Sequence, residues 1–187
     1  AGYANFRYLS KESKEIADRE ALLGVSITGW MNNPDVLFKD EVMKKGAELV
    51  KEMNKVVADL IGIRQAARTT CVKPSGNASV LLGTASGIHG EHAPRYIRHV
   101  QMNKDTDIAK ILEETNPNLL EESVWSANKT DYVVAFPVVS KEGSIYKRDL
   151  YGVKQLEYVK KAQQVWVEHG TNEHLSTIKE LRHNVSN

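Results

Sequence analysis

Apolar positions along the chain recur at two periods. From Val36 to about Leu60, the residues Leu37, Val42, Met43, Leu49, Val50, Met53, Val56, Val57 and Leu60 return at helical intervals. That spacing predicts the longest helix of the chain, ended by Gly62. A second amphipathic helix is predicted over 153–170, with Val153, Leu156, Val159, Val165 and Trp166 toward a core and Gly170 as its stop. Shorter helical spacing appears at 10–22, continued by Leu23 after Ile16 and Glu20, and at 106–114, which Asp105 or Thr106 can cap. Between these stretches lie runs rich in β-formers: "LLGVSITGW" (22–30) with a turn at Gly29, "ARTTCV" (67–72), "RYIRHVQM" (95–102), and "DYVVAFPVV" (131–139) with Pro137 near its end. "NNPD" (32–35) predicts a turn whose Asp35 caps the long helix, and "EGS" (142–144) another turn. Residues 74–87 read as a loop followed by a short helix from about Gly76, stopped near Gly87. Strands alternate with long helices, so the expected class is α/β with mostly parallel strands. The chain starts in a charged run, and no closing element follows its final "LRHNVSN". Residues 1–187 are therefore expected to be a single segment of a larger domain, incomplete at both ends.

Composition narrows the function classes. The chain has 187 residues, 41% hydrophobic and 26% charged, which is ordinary for a globular protein with a sizeable core. A net charge of +1 gives no global field for nucleic acid or for an acidic membrane. No apolar run approaches the ~20 residues that span a bilayer, and the N-terminal stretch lacks the apolar centre of a signal peptide. The lone Cys71 excludes an internal disulfide framework and fits a reducing, cytoplasmic setting.

The candidate chemistry sits at "TTCVKPSGNAS", where a β-prone run meets a tight loop that opens a helix. The first turn of a helix carries free N–H groups and a partial positive charge, a ready partner for phosphate. Gly76 lets a ligand approach the backbone, Ser75, Asn77 and Ser79 add uncharged donors, and Lys73 lies just outside as a point charge. The same residue types also suit a capped helix and nothing more. The spacing is not that of a Walker A loop.

The wider segment "TTCVKPSGNASVLLGTASGIHGEHAPRYIRHVQMNK" resembles the stretch of ribonucleotide reductase large subunits in which a Pro-Ser-Gly-Thr-type loop holds substrate phosphates. The adenosylcobalamin-dependent (class II) reductases, with "KPSGT.S...G..SGIH" followed by "YIRRV", are the nearest in pattern. Other motifs agree in order: "LLGVSITGW" resembles the family's "GVSLTG", "VVAFPV...EGS" its "FPVKAPEGS", and "QLEYVKKAQQVWVEHGTNEH" with the terminal "HNVSN" the stretch closing on "HNVSNT". The resemblance covers most of residues 22–187. It implies an α/β fold that forms part, roughly the second half, of a ten-stranded α/β barrel made of two antiparallel five-stranded halves. It implies substrate-phosphate binding at Ser75, Gly76, Asn77, Ala78 and Ser79, with Asn77 standing where the family usually has Thr.

In that family the chemistry runs through a thiyl radical on a finger-loop cysteine within "N-x-C-x-E", and two further cysteines supply reducing equivalents. This chain contains none of these, so it is expected to carry no catalytic residue and to be inactive alone. Adenosylcobalamin is implied for the complete enzyme and no cofactor on this chain. The implied partners are a ribonucleoside di- or triphosphate and a complementary polypeptide carrying the rest of the barrel, with no nucleic acid and no membrane. The alternative from another class is a stand-alone phosphate- or nucleotide-binding module without catalysis.

The remaining candidates have plainer readings. Cys71 is expected to be a buried, inert thiol. His89, Glu91, His92 and His99 make a poor metal set, and none is assigned. They are expected beside the substrate cleft. Arg95 and Arg98 read as solvated, and Trp125, Tyr158 and Trp166 as packing residues.

Overall fold

The computed structural model describes residues 6–172, which fall into two compact units. Residues 6–91 with 143–172 form one, and His92–Glu142 the other.

In the first unit, α1 spans Lys11–Glu20, with Ser10 Oγ accepting from the Ser13 amide at its start and Ala21 in the left-handed region (φ 44°) at its end. A one-turn helix, α2 (Pro34–Leu37), follows, with Pro34 in the first turn where no N–H is needed. The long helix, α3, covers Asp40–Ile61 and stops at Gly62 (φ 71°) as its pattern predicts. It starts later than expected because Pro34–Leu37 closes its own turn. Asp35 lies inside that turn, Asn33 and Lys39 hold the N-cap positions of α2 and α3 without a side-chain hydrogen bond, and Asp40 and Glu41 supply the negative charge at the start of α3. The short helix α4 is Asn77–Leu82. Its stop is Gly83 (φ 63°) rather than Gly87, since the chain turns at the first glycine it meets. α5 (Asp107–Thr115) belongs to the second unit, and α6 is Gly152–Ala162, continued by a π-helical turn over Gln163–Val167.

The core of this unit gathers Trp30, Met31, Phe38, Met43, Ala47, Ile88, Ala162, Val165 and Trp166. Trp30 is fully buried, and its ring packs on Phe38 (4.8 Å between centroids), which packs on Tyr158 (4.6 Å). Burial of one such side chain is worth about 3 kcal/mol. A Cβ added at Gly46 would lie 3.1 Å from the Trp166 ring, so α3 and the π-turn meet closely there. The apolar pattern did not identify the covered face. Met43 is buried, whereas Leu49, Met53, Val56 and Leu60 on α3, and Val153 and Leu156 on α6, are exposed.

Lys161 on α6 reaches Asp40 Oδ1 at 3.0 Å. That hydrogen bond, more than any other influence, holds the Asp40 carboxyl below its ordinary value of 3.8. A lowered carboxyl pKa stabilises the fold above 3.8 and loses that contribution as pH falls through the lowered value. The stability difference between wild type and Asp40→Asn, read from urea midpoints, is expected to be small and constant above about pH 5 and to close below 3.8. A difference unchanged at low pH would show that the pair does nothing.

The runs 22–26 and 67–72 lie side by side without forming continuous strands. Leu23 and Val25 donate to the carbonyls of Arg68 and Thr69, and the Cys71 amide donates back to Val25. One parallel bridge, Val25 to Thr70, results, and Arg68 bridges Thr171 antiparallel. The expectation of mostly parallel strands is thereby corrected. The chain leaves this pairing at Gly29 (φ 77°) after only a few residues, and the one continuous sheet among the described residues is antiparallel.

That sheet belongs to the second unit. β1 (Arg95–Asn103) pairs along its full length with β3 (Asp131–Val139), and β2 (Leu120–Glu122) pairs with Val134 to Tyr132 on the far side, giving the order β1-β3-β2. Helix α5 (Asp107–Thr115) is capped by Thr106, whose side chain accepts from Ala109. Pro137 pairs opposite Ile97 in β3, past the point where β2 ends. There its missing N–H removes no bond to β2. Trp125 is corrected as a packing residue: it sits in the turn after β2 and is 85% exposed.

Candidate functional site

The loop of residues 73–79 is built from backbone groups that are individually accounted for. The Lys73 amide donates to Ser26 Oγ (3.2 Å), and the same hydroxyl donates to the Lys73 carbonyl (3.4 Å). Pro74 has no N–H. The Ser75 amide donates to Ser86 Oγ (3.0 Å), and Ser86 Oγ donates to the Ser75 carbonyl. The Ser79 amide donates to Ser75 Oγ (3.0 Å), and the single proton of Ser79 Oγ is shared between the carbonyls of Ser75 (2.9 Å) and Gly76 (2.8 Å). Among the described residues, no acceptor meets the amides of Gly76, Asn77 or Ala78, and these three residues are exposed. Those amides lie at the start of α4, where the backbone dipoles favour an anion.

The five predicted site residues therefore divide by what they can offer. Gly76, Asn77 and Ala78 offer unpaired amides. Ser75 is half-buried and shapes the loop through both its backbone and its hydroxyl. Ser79 is buried, and both its amide and its hydroxyl are engaged within the loop. Lys73 is exposed beside them. A Cβ built on Gly76, whose φ is −83°, meets nothing within 4 Å. Gly76 is thus not required for packing, and its value to the loop is the open space above its backbone.

The loop is held in place by a segment that follows it. Thr28 Oγ1 donates to the Ala85 carbonyl (3.0 Å) and accepts from the Gly87 amide (3.0 Å). The buried Asn32 side chain accepts from the Ala85 amide (2.7 Å) and donates to Glu91 Oε1 and Ser144 Oγ (2.9 Å each). Gly87 has φ +51°, and a Cβ there would lie 2.5 Å from the Lys73 carbonyl oxygen and 3.1 Å from Pro74 Cα. Sequence reading passed over Ser26, Thr28, Asn32 and Ser86. One signal was present: in "GVSITG", Ser26 and Thr28 alternate with apolar residues, which puts both hydroxyls on one side of an extended run.

The other candidates are placed as follows. Cys71 is half-buried rather than buried, and its sulfur would lie 3.1 Å from a Cβ on Gly24. His89 Nδ1 lies 3.1 Å from the Ser86 carbonyl, and Glu91 is buried against Asn32. In the second unit His92 stacks near Tyr96 (5.2 Å), Arg98 donates to the Tyr96 hydroxyl (2.9 Å), and Arg95 and His99 are exposed. Among the described residues, no three His, Cys, Asp or Glu side chains gather as a metal site. No described helix is long and apolar enough to cross a membrane. A cavity of about 800 Å³ opens elsewhere in the first unit, between α1 and the turn after α3. It is lined by Leu22, Leu23 and Ile63 with both acidic and basic side chains, and none of residues 75–79 borders it. The terminal "HNVSN" motif lies outside the described residues.

No protein-family model matches the chain. Two curated relatives support the resemblance seen in the motifs. An adenosylcobalamin-dependent ribonucleoside-triphosphate reductase of Euglena gracilis is 25% identical over 161 residues, covering 84% of this chain and 22% of that protein. A probable enzyme of the same name from Dictyostelium discoideum is 26% identical over 123 residues, 66% of this chain and 16% of that one. Among solved structures, a B12-dependent (class II) ribonucleotide reductase matches 84% of the chain with a TM-score of 0.69, at 15% identity and over 26% of its own length. That likeness is one of fold. The chain spans less than a quarter of the length of the curated relatives it matches.

Proposed function

We propose that this chain is part of a ribonucleotide reductase and holds the phosphates of a ribonucleotide substrate on the loop of residues 75–79. The observation that carries the reading is the set of exposed, unpaired amides at Gly76, Asn77 and Ala78, in a chain similar over most of its length to such reductases. Each amide bond to a phosphate oxygen is worth about 1.5–3 kcal/mol, because the acceptor is charged. Lys73 adds attraction without fixed geometry. The conversion of ribonucleotide to deoxyribonucleotide by radical chemistry belongs to the complete enzyme. Its catalytic cysteines lie outside these 187 residues, since Cys71 is the only cysteine among them. The relatives are by name adenosylcobalamin-dependent, so the complete enzyme is read as using that cofactor, and no residue of this chain is assigned to it.

In this reading the two units contribute wall to roughly the second half of a ten-stranded α/β barrel, in a cytoplasmic enzyme. The apolar side chains that α3 leaves exposed, Leu49, Met53, Val56 and Leu60, suit burial against further polypeptide.

Gly76→Val is the direct test. It is expected to leave the urea midpoint near wild type, because its side chain enters open space, and to weaken ribonucleoside triphosphate binding at least about a hundredfold by covering the amides. Unchanged affinity would return the loop to a capped helix. The chain alone is expected to form no deoxyribonucleotide. Turnover appearing only with the complementary polypeptide separates a reductase from a free-standing binding module.

A further inference from the structure

We infer that Ser86 and Ser26 are positioning residues for the anion loop. The inference rests on the reading of residues 75–79 as a phosphate site.

Each hydroxyl serves both backbone polar groups of one loop residue. Ser26 Oγ accepts from the Lys73 amide and donates to the Lys73 carbonyl. Ser86 Oγ accepts from the Ser75 amide and donates to the Ser75 carbonyl. The two clamped residues flank Pro74, which has no donor of its own. One hydroxyl can donate once and accept twice, so each clamp uses the donor and one acceptor position of its serine. The amides and carbonyls of Lys73 and Ser75 are thereby satisfied from outside the loop. The next three amides, at Gly76, Asn77 and Ala78, have no acceptor among the described residues.

The clamps are themselves anchored. Ser26 follows Val25, which bridges Thr70. Ser86 lies between Ala85, held by Asn32 and Thr28, and Gly87, held by Thr28. A loop fixed in this way does not have to be ordered by its ligand. Removing a clamp makes the anion supply that ordering, and affinity falls.

The test uses the 187-residue chain, with inorganic triphosphate as probe and amide NMR as readout. In wild type, triphosphate should shift the Gly76, Asn77 and Ala78 amides. Ser86→Ala should speed hydrogen exchange at the Ser75 amide and weaken triphosphate binding about tenfold, with exchange in β1 and β3 unchanged. Ser86→Thr, which keeps a hydroxyl, should restore both. Ser26→Ala should act in the same way through the Lys73 amide. If wild type binds at these three amides and both alanine variants bind as tightly, the positioning inference is overturned while the loop reading stands. If triphosphate leaves the three amides of wild type unmoved, the loop reading fails and takes this inference with it.

Discussion

Replacing Gly87 by alanine is expected to lower stability by about 2–4 kcal/mol and to remove triphosphate binding in the same step. Two effects combine. Gly87 has φ +51°, which an alanine adopts only at a cost of about 1 kcal/mol. The new methyl would also stand 2.5 Å from the Lys73 carbonyl oxygen, a backbone atom that cannot rotate away. The loop must then move, and the hydrogen bonds between Ser86 and Ser75 move with it. This outcome contrasts with Gly76→Val, which should lose binding and keep stability. Urea unfolding and triphosphate titration of the two variants check the contrast. A Gly87→Ala protein with normal midpoint and normal affinity would show that the close approach of 87 to 73 is not maintained in solution.

The second large effect is expected at Asn32. Asn32→Leu removes two donors and an acceptor from a buried site and leaves the Glu91 carboxylate and the Ala85 amide without that partner. Each buried polar group left without its partner costs about 1–3 kcal/mol, a large share of the stability of a small domain. Asn32→Asp should be destabilising at neutral pH as well, because it sets a second carboxylate against Glu91. Urea midpoints of both variants against wild type check these expectations. Equal midpoints for wild type and Asn32→Leu would mean that the Asn32 contacts carry no net stability.

The helices and strands that reading the chain could identify are those specified by neighbours in sequence. The α3 helix, the Gly62 stop, the Thr106 cap and the strands β1 and β3, though not their pairing, follow from local spacing and turn chemistry. Which apolar residues are covered did not follow. Periodicity marks an apolar face but not its partner, so Met43 and Leu49 read alike although one is buried and the other exposed. Trp125 misled for a related reason, since aromatic size favours burial only where something packs against it. At the loop, the turn into a short helix was legible from its residue types, while the choice of residues 75–79 came from the family resemblance. The hydroxyls that hold it were not legible, because Ser26 lies 47 residues from Lys73 and Asn32 lies 59 from Glu91. No local pattern encodes such distances.

Pro137 has a consequence for the behaviour of this chain in solution. Among the described residues no strand pairs with the β2 side of β3 beyond Val134, and Phe136 and Val139 are exposed nearby. An open edge flanked by apolar side chains is a template on which another molecule can add a strand and begin to aggregate. A proline there has no N–H to offer an incoming strand, and its ring obstructs close approach. This stretch of β3 thus carries a residue that resists intermolecular extension where its apolar exposure would otherwise promote it.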